Sequence, residues 1–309
     1  NATINFKEGL ALDSGIDKIV EIQSAKECYD YVVSKNPVNV NMTISDSANS
    51  YVTVGGIAAV SNGLINGLFG LYTNKVGQGG NKVTYVTSFQ SQGIDVTANI
   101  NVGSTAGIIQ NDKSVIGGVV GVMLTGAQVL NVSAEGQIGE YNKQTNALVG
   151  AKNNVGGVAG QIEGATIENV TSSVRVRGQE NIGGIAGSSK GAKINFARTE
   201  ALESLTGNNQ TMLIGSNNVG GIVGLVQNGE TNTQIKFAYS YSFVNKFNTD
   251  YIGYGDIYSN NAGSGSAFGG LIGASTIDAD NLIIESSYST FNINVIGNGA
   301  NVAGLIGYV

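Results

Sequence analysis

The stretch Val155-Gly156-Gly157-Val158-Ala159-Gly160 constrains the fold more than any other, because the chain repeats it. It stands upstream as Ile116-Gly117-Gly118-Val119-Val120-Gly121 and, degraded at its last position, as Val54-Gly55-Gly56-Ile57-Ala58-Ala59. Downstream it returns as Ile182-Gly183-Gly184-Ile185-Ala186-Gly187 and as Val219-Gly220-Gly221-Ile222-Val223-Gly224. Two further copies are Phe268-Gly269-Gly270-Leu271-Ile272-Gly273 and Val302-Ala303-Gly304-Leu305-Ile306-Gly307. From Gly117 to Ala303 the first positions lie 39, 27, 37, 49 and 34 residues apart. Such a spacing marks a stacked repeat, in which each unit buries its apolar face only against its neighbours.

Composition narrows the kind of repeat. The 309 residues hold 46 glycines and one proline, which excludes collagen and proline-rich linkers. Glycine, asparagine and β-branched residues with so little proline suit many short strands joined by tight turns. The sequence thus predicts an all-β fold, a parallel β-helix or β-solenoid. Paired glycines allow positive φ and close backbone approach. Stacked asparagines at corners hydrogen-bond between rungs. At about 4.8 Å per rung, about ten to twelve rungs give a rod on the order of 50–60 Å.

The net charge of −6 offers no basic stripe for phosphates and excludes nucleic acid as a partner. Histidine is absent, which removes Ser-His-Asp and Cys-His catalysis and histidine zinc sites together. Cys28 alone makes no internal disulfide, so stability must come from stacking. No signal peptide opens the chain, and it stops just after a repeat begins. The expectation is a piece of something longer, or an end that meets another molecule.

Residues 1–50 lack the repeat and read as an N-terminal cap or attachment segment, with residues 51–309 forming the solenoid. Within the cap, Ser24-Ala25-Lys26-Glu27 is a capping box that opens a short helix, and Asn36-Pro37 ends it. Val38, Val40, Met42 and Ile44 alternate as a strand. Thr73 to Gly80 reads as a polar turn region, followed by alternating strands at Val83–Phe89 and Ile94–Ile100. Thr105 to Ile109 resembles a worn copy of the opening. From Val115 the modules are regular, each continuing into a second strand such as Ala165-Thr166-Ile167-Glu168-Asn169-Val170. Phe247 to Ser266 reads as a loop insertion.

The opening glycines Gly157-Val158-Ala159-Gly160, then Gly164-Ala165-Thr166-Ile167-Glu168-Asn169-Val170, resemble the GLUG motif. The match recurs at Gly184, Gly221, Gly270 and Gly304. GLUG repeats are similar to stalk and passenger regions of large cell-surface and secreted proteins, mostly bacterial. The resemblance implies an extracellular β-solenoid-like region and brings no catalytic residues. Its long tyrosine-rich module and its first fifty residues depart from that pattern.

Candidate contacts are few. Phe237, Tyr239, Tyr241 and Phe243 alternate with small residues and read as the core face of a strand. Tyr251, Tyr254 and Tyr258, on the insertion, are the better candidates for glycan or partner contacts. Asn1, Asn41, Asn131, Asn169 and Asn209 head possible glycosylation sequons. In a chain so rich in Asn, Ser and Thr, roughly half a dozen arise by chance. Asn131 and Asn169 hold equivalent repeat positions and read more simply as structural. Asp250 to Asp256 and Asp278-Ala279-Asp280 lack a calcium-loop pattern, and no metal or cofactor is expected. Ser114 to Ala134 is uncharged, yet its polar residues and repeat register oppose a membrane span. The leading expectation is a non-enzymatic, extracellular, adhesin-like stalk or passenger. Its partners would be surface proteins, glycans or copies of itself. A filament subunit and, less favoured, a carbohydrate-active β-helix enzyme are the alternatives.

Overall fold

The computed structural model describes residues 38–44, 52–66, 72–79, 82–88, 94–104, 108–109, 113–142, 147–201, 212–242, 256–277 and 281–309. Most of them lie in strands, and the strands of the three large sheets stack in parallel as the repeat predicts. One complete rung consists of Asn153–Gly156, Ala159–Glu163 and Thr166–Arg177. Its residues pair with their equivalents on both sides. Val155 meets Ile116 and Ile182, Ala159 meets Val120 and Ala186, and Ile167 meets Val129 and Ile194. The opening strands thereby form one seven-stranded sheet, the next strands a second of seven, and thirteen of the remaining strands a long third sheet, with five more in two small sheets.

Seven strands per sheet mean seven rungs among the described residues, or about 30 Å at the usual strand spacing. The sequence estimate of ten to twelve is too high. Only the step from Gly156 to Gly183 is as short as 27 residues, and elsewhere insertions consume chain without adding a rung.

Each turn of the winding is set by the glycines, though not through their conformational freedom. None of the doublet glycines has a positive φ. What they supply is missing volume. A Cβ on Gly156 would stand 2.0 Å from the Ala159 carbonyl oxygen and 2.7 Å from the Gly187 nitrogen. At Gly183 the corresponding distance, to the Ala186 oxygen, is 1.9 Å. Two successive amides then reach one carbonyl of the next rung: Val158 N and Ala159 N donate to Ile185 O at 3.0 and 2.9 Å. The same doubled bond recurs from Ile185 and Ala186 to Ile222 O, and from Ile222 and Val223 to Leu271 O. The third glycine lets two sheets touch, since a Cβ on Gly187 would lie 2.4 Å from Val155 N.

Inside the winding, columns of like residues run from rung to rung. Val155, Ile182, Val219 and Phe268 form one fully buried column, and Val158, Ile185, Ile222 and Leu271 form another. Each such side chain contributes about 1.5–3 kcal/mol by leaving water. One interior column is hydroxylic instead: Ser172, Thr199, Ser240 and Ser289. It sits against the second glycines, where a Cβ on Gly157 would be 2.3 Å from Ser172 Oγ and one on Gly270 2.4 Å from Ser289 Oγ. Ser240 Oγ donates to Gly270 O at 2.6 Å and lies 2.6 Å from Ser289 Oγ.

Several local expectations change. Thr73 to Gly80 is not a turn region; Tyr72–Gly79 is a strand paired antiparallel with Lys82–Ser88. Ile108–Ile109 pairs with Ala147–Ala151 and joins neither glycine sheet, while the rest of the worn copy expected at Thr105 to Ile109 lies outside the described residues. Part of the insertion is ordered into the long sheet as Ile257–Ala262. Val38–Ile44 is the expected strand, and it pairs in parallel with Ile94–Ser104. The helix expected after Ser24 lies outside the described residues. No helix among the described residues is long and apolar enough to cross a membrane, and Ser114 to Ala134 folds into strands of the stack.

Candidate binding face

The outer surface of the long sheet carries a column with unusual backbone geometry. Asn131, Asn169, Phe196, Phe237 and Ser286 occupy equivalent positions, and their φ values are 55°, 53°, 49°, 52° and 48°. This left-handed residue turns the strand at a corner. It places two residues outward in succession, here Glu168 and Asn169, before the inward Val170. The I-x-N-hydrophobic text of the sequence is the trace of that bend. Asparagine suits it because its short side chain tolerates left-handed geometry. Asn169 Nδ2 donates to Asn131 Oδ1 at 2.7 Å, and Asn131 Nδ2 donates to Asn66 Oδ1 at 3.0 Å. A second column, Asn154, Asn181 and Asn218, repeats the device before the glycine doublets.

Two rungs break the pattern with phenylalanine. A non-glycine side chain in this conformation costs roughly 1–2 kcal/mol per residue. The Phe196 and Phe237 rings stack at 4.8 Å with 4° between planes, which offsets about 0.5–1.5 kcal/mol once, not twice. Both rings remain about half exposed, at 53% and 45%. Stability alone therefore does not account for them. Their centroid separation is that of neighbouring rungs, so the pair repeats the spacing of the sheet beneath it.

The next outward column is Arg198, Tyr239 and Tyr288. Tyr239 and Tyr288 stack at 5.1 Å and 2°. Arg198 ties the columns together: its Nε donates to Thr171 Oγ1 at 2.7 Å, its Nη1 to Tyr239 Oη at 3.3 Å, and it pairs with Glu200 at 3.1 Å. The hydrogen bond to Tyr239 raises its already high pKa, against a smaller opposing effect of burial. Lys236 pairs with Glu285 at 3.1 Å beside it. These two cations each have an anion beside them, and the two pairs together add no net charge to the aromatic columns.

This arrangement corrects the reading of the aromatic strand as core. Ala238, Ser240 and Ser242 point inward, while Phe237, Tyr239 and Tyr241 point out. The cause is steric. The interior here closes on Gly221, whose added Cβ would meet Ser240 at 2.7 Å, so no ring fits. Phe243, Tyr251 and Tyr254 lie outside the described residues. Tyr258 is not displayed on a loop: it lies in Ile257–Ala262, only 5% exposed, with its ring edge-on to Tyr141 at 6.2 Å. Of the sequon asparagines, Asn131 and Asn169 are the hydrogen-bonded column above, Asn41 lies in the strand Val38–Ile44, and Asn1 and Asn209 are outside the described residues. Phe196, Arg198 and Tyr288 were missed from sequence. Aligning Ile194-Asn195-Phe196 and Ile235-Lys236-Phe237 with Ile167-Glu168-Asn169 finds the phenylalanines, since each takes the asparagine's place.

Beyond this face, the described residues include no group of three His, Cys, Asp or Glu able to hold a metal. Asp256 is buried, and its carboxylate accepts from Ser242 Oγ at 3.0 Å and Asn292 N at 2.8 Å. Arg177 is buried as well, and its Nη1 donates to Met212 O at 3.4 Å. Burial, with Arg175 adding repulsion, lowers its pKa to about 9. Above about pH 9 the unfolded chain therefore binds more protons at this residue, so its effect on stability improves as pH rises from there. Urea unfolding of wild type and Arg177→Met checks this. The difference between them is expected to be flat from pH 6 to 8 and to shift in favour of wild type above about pH 9.

The rung spanning Asn153 to Arg177 decides what kind of repeat this is: residues 152–177 match the family model described as the GLUG motif. This rung matches the GLUG motif. The match covers one winding, from the strand before the glycine doublet to the end of the corner strand. The rungs paired to it keep the same glycines in register, so they are structural copies of this rung. No curated protein and no solved structure matches the chain.

Proposed function

We propose that this GLUG-motif chain is a non-enzymatic structural region of an extracellular protein, an adhesin-like stalk or passenger displayed on a cell surface. The observation that supports this reading is the unbroken parallel register of both seven-stranded sheets, from Thr53–Gly55 to Asn301–Ala303 and from Ala58–Ser61 to Ile306–Tyr308. Such a stack holds its outer faces at fixed spacing, which is what a spacer that carries contacts requires. Its low charge and its reliance on stacked rungs in place of disulfides fit a mechanical role.

The test is labelling of intact cells that make the protein, using a membrane-impermeant amine reagent. Lysines such as Lys193 and Lys190 are exposed enough to react. Labelling before lysis is the expected result. Labelling only after lysis overturns the surface assignment.

A further inference from the structure

The geometry points to the Phe196–Phe237 and Tyr239–Tyr288 stacks as a binding face for an uncharged, equatorially linked glycan lying along the stacking axis. Three observations carry this. The first is strain without structural return: two rungs hold phenylalanine where asparagine takes the same left-handed backbone at less cost and extends a hydrogen-bonded column. An observed backbone outlier is a reason to look for function. The second is exposure. Phe196, Phe237 and Tyr288 are each about half exposed, and their stacks present aromatic surface to solvent in two parallel columns. Aromatic faces with hydroxyl tips suit sugar rings, which offer an apolar C–H face and polar edges.

The third observation is repeat length and charge. The ring pairs are spaced at 4.8 and 5.1 Å, close to the advance of one pyranose ring along an equatorially linked chain, so successive sugars meet successive rungs. An extended peptide advances about 3.3 Å per residue and falls out of step after one rung. The two ion pairs, Arg198–Glu200 and Lys236–Glu285, leave no net charge to select an acidic polymer. The surface-repeat reading enters only in giving a polymer access to this face. The binding test below uses purified protein, so it fails or succeeds apart from the labelling of cells.

The experiment measures binding of the whole chain to cellohexaose, chitohexaose and xylohexaose, with maltohexaose and polygalacturonate as controls of shape and charge. One of the three neutral, equatorially linked probes is expected to bind. Phe196→Asn combined with Phe237→Asn is expected to weaken that binding about tenfold or more, while the thermal midpoint stays level or rises because asparagine accepts the backbone. Tyr239→Ala, a second variant in the other stack, is expected to weaken it as well. The inference is overturned if none of the three probes binds, if polygalacturonate binds best, or if the double variant binds as wild type does. It is also overturned if the face is shown to hold a protein, with a surface-protein partner lost in the double variant and no glycan bound.

Discussion

Replacing Gly156 by alanine is expected to destabilise the stack by about 3 kcal/mol or more, at the upper end of overpacking effects. The added methyl would stand 2.0 Å from the Ala159 carbonyl and 2.7 Å from the Gly187 amide nitrogen, both main-chain atoms. No side-chain rotation relieves such a contact, so the turn itself must open. Opening it would also disturb the paired amides of Val158 and Ala159 on the Ile185 carbonyl. Gly304→Ala provides the comparison, because a Cβ there meets nothing within 4 Å. That substitution is expected to stay within about 0.5 kcal/mol of wild type. Equal urea midpoints for the two variants would refute the assignment of these glycines to steric clearance.

The asparagine column before the doublets carries the second large effect. Asn181 accepts from Asn218 Nδ2 at 2.8 Å, donates to Asn154 Oδ1 at 3.1 Å, and holds φ at 55°. Asn181→Ala removes both bonds, each about 1 kcal/mol, and leaves a methyl-bearing residue in a left-handed conformation, about 1–2 kcal/mol more. A loss of about 3 kcal/mol follows. Asn181→Gly loses the same bonds without the strain, so it is expected to fall between alanine and wild type. If alanine and glycine prove equal, the backbone geometry contributes nothing and the column works through hydrogen bonds alone.

Much of the fold was legible because the repeat writes its register into the text. Gly117, Gly156, Gly183, Gly220 and Gly269 could be aligned by eye, and the structure pairs them in that order. The asparagine corners were legible for a similar reason, since Asn131 and Asn169 follow an Ile or Val by the same interval. The role of the glycines was harder. Sequence cannot distinguish a residue that needs positive φ from one that needs empty space, and the doublets proved to be the second kind. The binding face was misread for a physical reason as well. Alternation shows that Phe237 and Tyr239 share a side, and hydrophobicity suggests that side is core. The interior there is instead fixed by Gly221, in the turn between the strands Asn217–Gly220 and Val223–Gln227, which leaves room only for Ser240.

The same substitution of phenylalanine into an asparagine column bears on how the chain avoids tangling. Rungs built from one template are nearly interchangeable in their main-chain bonds, so a winding that skipped a neighbour would still find partners for most amides. Side chains must break that degeneracy. With Asn66, Asn131 and Asn169 linked in succession and Phe196 then matched to Phe237, the native order has a single amide-to-ring step, between Asn169 and Phe196, and a winding that interleaves the two kinds loses the amide bonds and the ring stack. The unevenness of an otherwise monotonous scaffold thus works as an addressing system, telling each layer which layer comes next.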